Sequence, residues 1–142
     1  MNEPILYILM RTDMASMNPG KAIAQGSHAA NAFVLKMAEL YSPITEKVED
    51  TDKVILFRDW RNSTKQGFGT VLVLAVTGTE LEQTIKLAQE LKFIADVIHD
   101  PTYPIQDGMV THYISLNTCG YIFGDKSDIK LGELLAGYKL HP

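Results

Sequence analysis

Three polar residues share one helical face near the start of the chain: Lys21, Gln25 and His28, within the stretch "NPGKAIAQGSHAA" of residues 18–30. Spacings of four and three stack them one above another. Lys21 falls in the first turn of this expected helix. Backbone N–H groups left unpaired there, together with an ammonium, make a site for an anion or a developing oxyanion. The other reading of Lys21 is a solvated side chain, although a first turn favours Asp or Glu over a cation. A nucleotide phosphate loop is excluded, because it needs Gly at position 15 and Ser or Thr at position 22, and both are Ala. His28 taken alone is more often a hydrogen-bonded structural histidine than a catalyst. The histidines at 28, 99, 112 and 141 have no metal-ligand spacing, so no metal is expected.

Asp100 lies in "VIHDPTYP", at the carboxyl end of an expected strand. A carboxylate held there by a Pro101/Pro104 loop suits catalysis, and equally suits a turn residue preceding proline. Arg58, Arg61 and Lys65 recur at spacings of three and four, giving one basic helix edge with Trp60 beside it and Phe57 turned inward. Such an edge is either a contact strip for backbone phosphates or a solvated face. No Ser-His-Asp set, nucleophile elbow or paired-carboxylate motif stands out. Cys119 has no obvious activating partner.

These side chains need elements to position them. Ile5–Met10 reads as a buried strand, and Asn18 with Pro19 opens a long helix. Ile23, Ser27, Ala30, Val34, Met37 and Tyr41 form its expected buried face, ended by Ser42-Pro43. Thr45–Asp52 reads as a loop, Asp50 to Thr64 as a second helix stopped by the Gly67/Gly69 turn, and Thr70–Val76 as a central strand. A third helix is expected after Thr79, with Glu82 completing a capping box and Leu81, Ile85, Ala88 and Leu91 as its stripe. Ala95–Ile98 reads as a short strand, "DPTYPIQDG" as a loop and Val110–Leu116 as a further strand. The tail "DIKLGELLAGYKL" reads as a short helix or turn and an extended end. This order predicts an α/β fold: a three-layer α/β/α sandwich around a small mixed, mostly parallel four-stranded sheet. Ligands in such folds sit outside the carboxyl ends of the strands, here Arg11–Met17, Thr77–Thr79 and His99–Pro104.

With 142 residues and no linker-like stretch, the chain reads as one domain. Its single cysteine excludes an internal disulfide and fits a reducing cytoplasm. Ile5–Met10 is too short for a signal segment, and no apolar run approaches the roughly 20 residues of a membrane span. A net charge of −4 argues against a general nucleic-acid binder, so any polyanion must be met by a local patch.

The strand "LYILMRTD", then "GKAIAQGSHAA", then "VIHD" resemble the type II peptidyl-tRNA hydrolases. Arg11, Asp13, Gly20, Lys21, Ala24, Gln25, Ser27, His28, Ala29 and Ala30 match that family's first motif. In the second motif Asp100, Gly108 and Thr111 match, whereas the usual Arg-Thr pair is absent; Thr102 is the hydroxyl offered from a shifted position. The resemblance implies hydrolysis of the ester between peptide and tRNA, with no cofactor or metal, in the cytoplasm, by a homodimer. It implies Lys21, Asp100 and Thr111 as catalytic residues: Lys21 at the oxyanion or orienting Asp100, Asp100 at the water, and Thr111 holding it. Gln25, His28 and Thr102 would orient these groups or bind the substrate, with Arg58, Arg61 and Lys65 on the tRNA backbone. Two other readings stay open: a non-catalytic tRNA- or protein-binding module on this fold, and a hydrolase of another acyl ester or amide.

Overall fold

Alternation along the first strand, β1 (Pro4–Arg11), divides the core in two. Leu6, Ile8 and Met10 enter one apolar cluster and Leu9 enters the other. The computed structural model describes residues 2–42, 44, 47 and 50–142. After β1 come α1 (Pro19–Tyr41), α2 (Thr51–Arg61), β2 (Thr70–Val76), α3 (Gly78–Glu90), β3 (Ile94–Asp107), β4 (Val110–Asp125) and α4 (Ile129–Leu135). Phe33 and Met37 of α1 join the first cluster with Phe57 and Trp60 of α2. Leu81, Ile85 and Ala88 of α3 join the second with Leu131 and Leu135 of α4. Among the described residues, no helix is long and apolar enough to cross a membrane.

The sheet is mixed, in the order β2-β1-β4-β3, but it is mostly antiparallel, not mostly parallel as expected. Only β1 and β2 pair in parallel, while β1–β4 and β3–β4 are antiparallel. β1, β2 and β3 do run in one direction. The last strand inserts between β1 and β3, and that reverses two of the three pairings. Its direction is imposed by a two-residue turn, Gly108-Met109, between the paired Asp107 and Val110. Gly108 adopts φ 60°, the left-handed conformation that glycine takes without penalty.

The expected loop "DPTYPIQDG" is strand instead, the outer half of β3. Both prolines are tolerated because β3 is an edge strand, where a missing N–H costs no ladder bond on the open side. Register shifts between Ile98 and His99 and between Asp100 and Tyr103 mark the bend around Asp100.

Two helix details also differ. The capping box of α3 is formed by Thr77 and Glu80, not Thr79 and Glu82, with Thr77 Oγ1 accepting from Glu80 N at 3.1 Å. The buried row of α1 is Gln25, Ala29, Phe33 and Met37, whereas Ile23 of the expected face is 71% exposed. Asn18 does cap α1, its Oδ1 accepting from Lys21 N at 2.9 Å. α2 begins at Thr51 and ends at Arg61, shorter than the expected Asp50–Thr64. Half of the expected loop Thr45–Asp52 lies outside the described residues, and Thr51 and Asp52 are already helical.

Phe33 is fully buried, with ring centroids 4.7 Å from Phe123, 5.5 Å from Phe57 and Trp60, and 5.8 Å from Tyr121. Phe33→Ala is expected to lower unfolding stability by about 3–5 kcal/mol in a urea titration. A loss below about 1 kcal/mol would remove this ring from the core.

Candidate active site

Gln25 carries a polar amide into the buried row of α1, and both ends of that amide are occupied. Its Oε1 accepts from the fully buried Thr118 Oγ1 at 2.7 Å, and its Nε2 donates to Asp100 Oδ2 at 2.7 Å. The other carboxylate oxygen of Asp100 accepts from Thr102 N at 2.8 Å and from Thr102 Oγ1 at 3.4 Å. Burial pulls the Asp100 pKa upward, but these donors and the nearby His28 outweigh it and hold the carboxyl below its ordinary value. Asp100 is therefore ionised at neutral pH. Its carboxylate faces a cleft of about 360 Å³ lined by His28, Ala32, Val97, Ile98, His99 and Pro101.

Lys21 lies one turn before Gln25. Its Nζ donates to Pro104 O at 2.6 Å and sits 5.0 Å from the centroid of the buried Tyr103 ring. The hydroxyl of Tyr103 is 3.2 Å from Ser16 Oγ, which ties the loop before α1 to β3. No ion pair joins Lys21 to Asp100 among the described residues. The ammonium is thus held by a carbonyl and a ring, with two of its three donors available. At the start of α1, Lys21 N is taken by Asn18 Oδ1 and Ala22 N by Asn18 O. The supply of free helix-start N–H groups is accordingly smaller than the sequence implies.

Beside this site, Arg11 and Asp13 form a bidentate pair at 2.9 and 3.1 Å. Arg11 also donates to Asn117 O at 3.1 Å, and Asp13 accepts from Gly78 N at 3.0 Å, which joins β1, β4 and the start of α3. The guanidinium hydrogen bond leads the interactions that hold the Asp13 carboxyl below its usual range.

The structure brings Gln25, His28, Asp100 and Thr102 together, while Lys21, one turn earlier on α1, is held at Pro104. Thr111 is elsewhere: it pairs with Gln106 near the hairpin turn and donates to Gln106 Oε1 at 3.4 Å. Six residues of strand separate Asp100 from Gln106, roughly 20 Å. Sequence reading missed Thr118, whose burial beside Gln25 depends on a pairing far along the chain. Arg58, Arg61 and Lys65 do line one cleft, of about 630 Å³, with Tyr41 and Phe57. Arg58 Nε donates to Tyr41 Oη at 3.0 Å, and Arg61 Nε to Gly67 O at 3.2 Å. Trp60 is buried and donates to Thr70 O instead of flanking the basic edge. Along α1, Tyr41 lies roughly 20 Å beyond His28 and on the other flank of the buried row. Cys119 is buried, which raises its thiol pKa to about 12, and its Sγ lies 3.4 Å from Gln25 O as donor. Among the described residues, no group of three or more His, Cys, Asp or Glu could hold a metal ion.

The fold is shared with a solved protein of unknown function from Agrobacterium tumefaciens strain C58, at a TM-score of 0.60 and 10% identity over all of both chains. With the site, that defines an α/β protein carrying an ionised carboxylate held by a buried glutamine at the bend of an edge strand of a mixed sheet. Among the curated proteins none matches the chain. The model of the peptidyl-tRNA hydrolase PTH2 family matches residues 5–118, and the chain belongs to that family.

Replacing Gln25 by Leu removes a donor to the charged form of Asp100. The Asp100 pKa should rise, read by a carboxyl-carbon NMR titration. An unmoved titration would show that Gln25 does not set the charge of the site.

Proposed function

We propose that this protein hydrolyses the ester joining a peptide to the terminal ribose of tRNA. The observation that supports this reading best is the Asp100 carboxylate, gripped on both oxygens yet open to a cleft, in a chain of the PTH2 family. A carboxylate with a lowered pKa is a better hydrogen-bond acceptor for water than a store for a proton. Asp100 therefore orients the attacking water against the ester carbonyl, while the Thr102 hydroxyl and Gln25 amide hold the carboxylate in place. As the tetrahedral oxyanion forms, the free donors of Lys21 stabilise it. The bond from the acyl carbon to the ribose oxygen breaks, and that oxygen takes up the proton given up by the attacking water, releasing peptide and tRNA. His28 lines the cleft at the position for the terminal nucleotide. Thr111 lies too far along the hairpin to touch this water and contacts more distant parts of the substrate.

The cleft of Arg58, Arg61 and Lys65 offers cations and the Tyr41 ring to the tRNA body. A polyanion as long as tRNA spans the roughly 20 Å along α1 between the two regions. This placement reconciles a net-acidic chain with an anionic substrate. The reading also carries the family's implied cytoplasmic location and homodimer.

Asp100→Asn keeps the shape but weakens the acceptor, and Lys21→Ala removes the cation. Each should slow release of peptide from purified peptidyl-tRNA by about 10²–10⁴-fold, followed on acid gels. Full turnover by both variants would end this mechanism, and tRNA binding without release by the wild type would favour a binding module. Arg61→Ala should reduce the log–log salt slope of tRNA binding by about 0.7–0.9; an unchanged slope would take Arg61 out of the footprint.

A further inference from the structure

His99 and Asp100 are neighbours on β3, so their side chains leave the strand in opposite directions. Asp100 reaches α1, whereas His99 belongs to a separate polar chain toward α3. His99 Nδ1 is 2.8 Å from Asn117 Oδ1, and His99 Nε2 is 2.7 Å from Ser115 Oγ. Asn117 Nδ2 in turn donates to Glu82 Oε1 at 3.3 Å.

The proton positions in this chain follow from its far end. An ionised Glu82 can only accept, so the Asn117 amide presents its nitrogen to Glu82 and its oxygen to His99. That oxygen can only accept, so His99 carries its proton on Nδ1. In the neutral imidazole Nε2 is then a bare lone pair, and Ser115 donates its hydroxyl proton to it. The arrangement is nucleophile, base and base-orienter within hydrogen-bond reach, the geometry by which a serine is activated. The β3–β4 register assembles it: Asn117 pairs with His99, and Ser115, two residues before Asn117, emerges on the same face. Ser115 and His99 are exposed, so a reagent can reach both. Two residues further toward the turn, Tyr113 is 69% exposed on the same face and offers an aromatic platform.

We propose that Ser115, His99 and Asn117 form a second acyl-transfer centre that accepts small carboxylic esters with an aromatic leaving group. Ser115 Oγ attacks the ester carbonyl carbon while its proton passes to His99 Nε2. The carbon–oxygen bond to the aryl group breaks, and the aryloxide leaves with the electron pair and takes up the proton. Water then hydrolyses the acyl-serine, with His99 again accepting and returning the proton. Asn117 and Glu82 are positioning residues that fix the imidazole tautomer. The centre uses none of Lys21, Gln25, Asp100 and Thr102, and His99 is the one residue it has in common with the cleft that Asp100 faces.

The test uses p-nitrophenyl acetate and an alkyl fluorophosphonate on the full-length protein, with peptide mapping by mass spectrometry. With the second reagent, the Ser115 oxygen bonds to phosphorus and fluoride leaves. The expected result is an adduct on Ser115 that forms at least tenfold more slowly in His99→Gln and is absent in Ser115→Ala. Asn117→Leu should slow labelling, and Asn117→Asp, which restores an acceptor for Nδ1–H, should recover it. Circular dichroism checks that each variant is folded. No adduct on Ser115, labelling of His99→Gln at the wild-type rate, or equal rates for the two Asn117 variants would overturn the proposal.

Discussion

A glutamine amide buried between a helix and two strands is costly unless both ends find partners, and Gln25 finds them in Thr118 and Asp100. Much of the functional end of the molecule depends on that pair of bonds. They require α1 to present Gln25 inward, β4 to place Thr118 beneath it, and the bend in β3 to aim Asp100 at it. A one-residue slip of β4 would turn Thr118 to the other face and strand the amide oxygen. Arg11 and Asp13 impose a similar condition on β1, β4 and α3. The Asp100 carboxylate is thus positioned by the same contacts that set the register of the sheet.

The β3–β4 ribbon carries two polar clusters because a strand sends successive side chains to opposite faces. On the α1 side, donors surround a carboxylate and keep it charged. Toward α3, a hydrogen-bonded chain runs from Glu82 through Asn117 and His99 to Ser115. The first suits orienting water beside a cation, and the second suits withdrawing a proton from a hydroxyl. The basic cleft lies on the other flank of α1, so the buried row of that helix separates Arg58, Arg61 and Lys65 from the cleft that Asp100 faces.

Local sequence signals and structure agree where the physics is local. Asn18 and Pro19 predict the start of α1, and the alternation of β1 and the run Thr70–Val76 predict their strands, because capping and side-chain periodicity act over a few residues. Lys21, Gln25, His28 and Asp100 were legible for the same reason: spacing along one helix and one strand end. Prolines 101 and 104 misled as loop signals, since only the sheet order shows that β3 is an edge strand. The buried face of α1 also differs from the one its spacing predicts. Two rows of this helix have suitable spacing, and the partners of Gln25 come from residues 75 and 93 positions away.

The sequence alone therefore determined the α/β class, the helix starts and the polar residues at the head of α1. Tertiary structure decided which of them meet. It inserted β4 between β1 and β3, carried Thr111 out to the hairpin and placed Thr118 under Gln25. It also joined Ser115, His99 and Asn117 across two strands. Caps and periodicity are free-energy preferences of neighbouring residues, whereas strand order and register minimise the energy of the whole core. No short stretch contains the information on which distant donor will satisfy a buried acceptor.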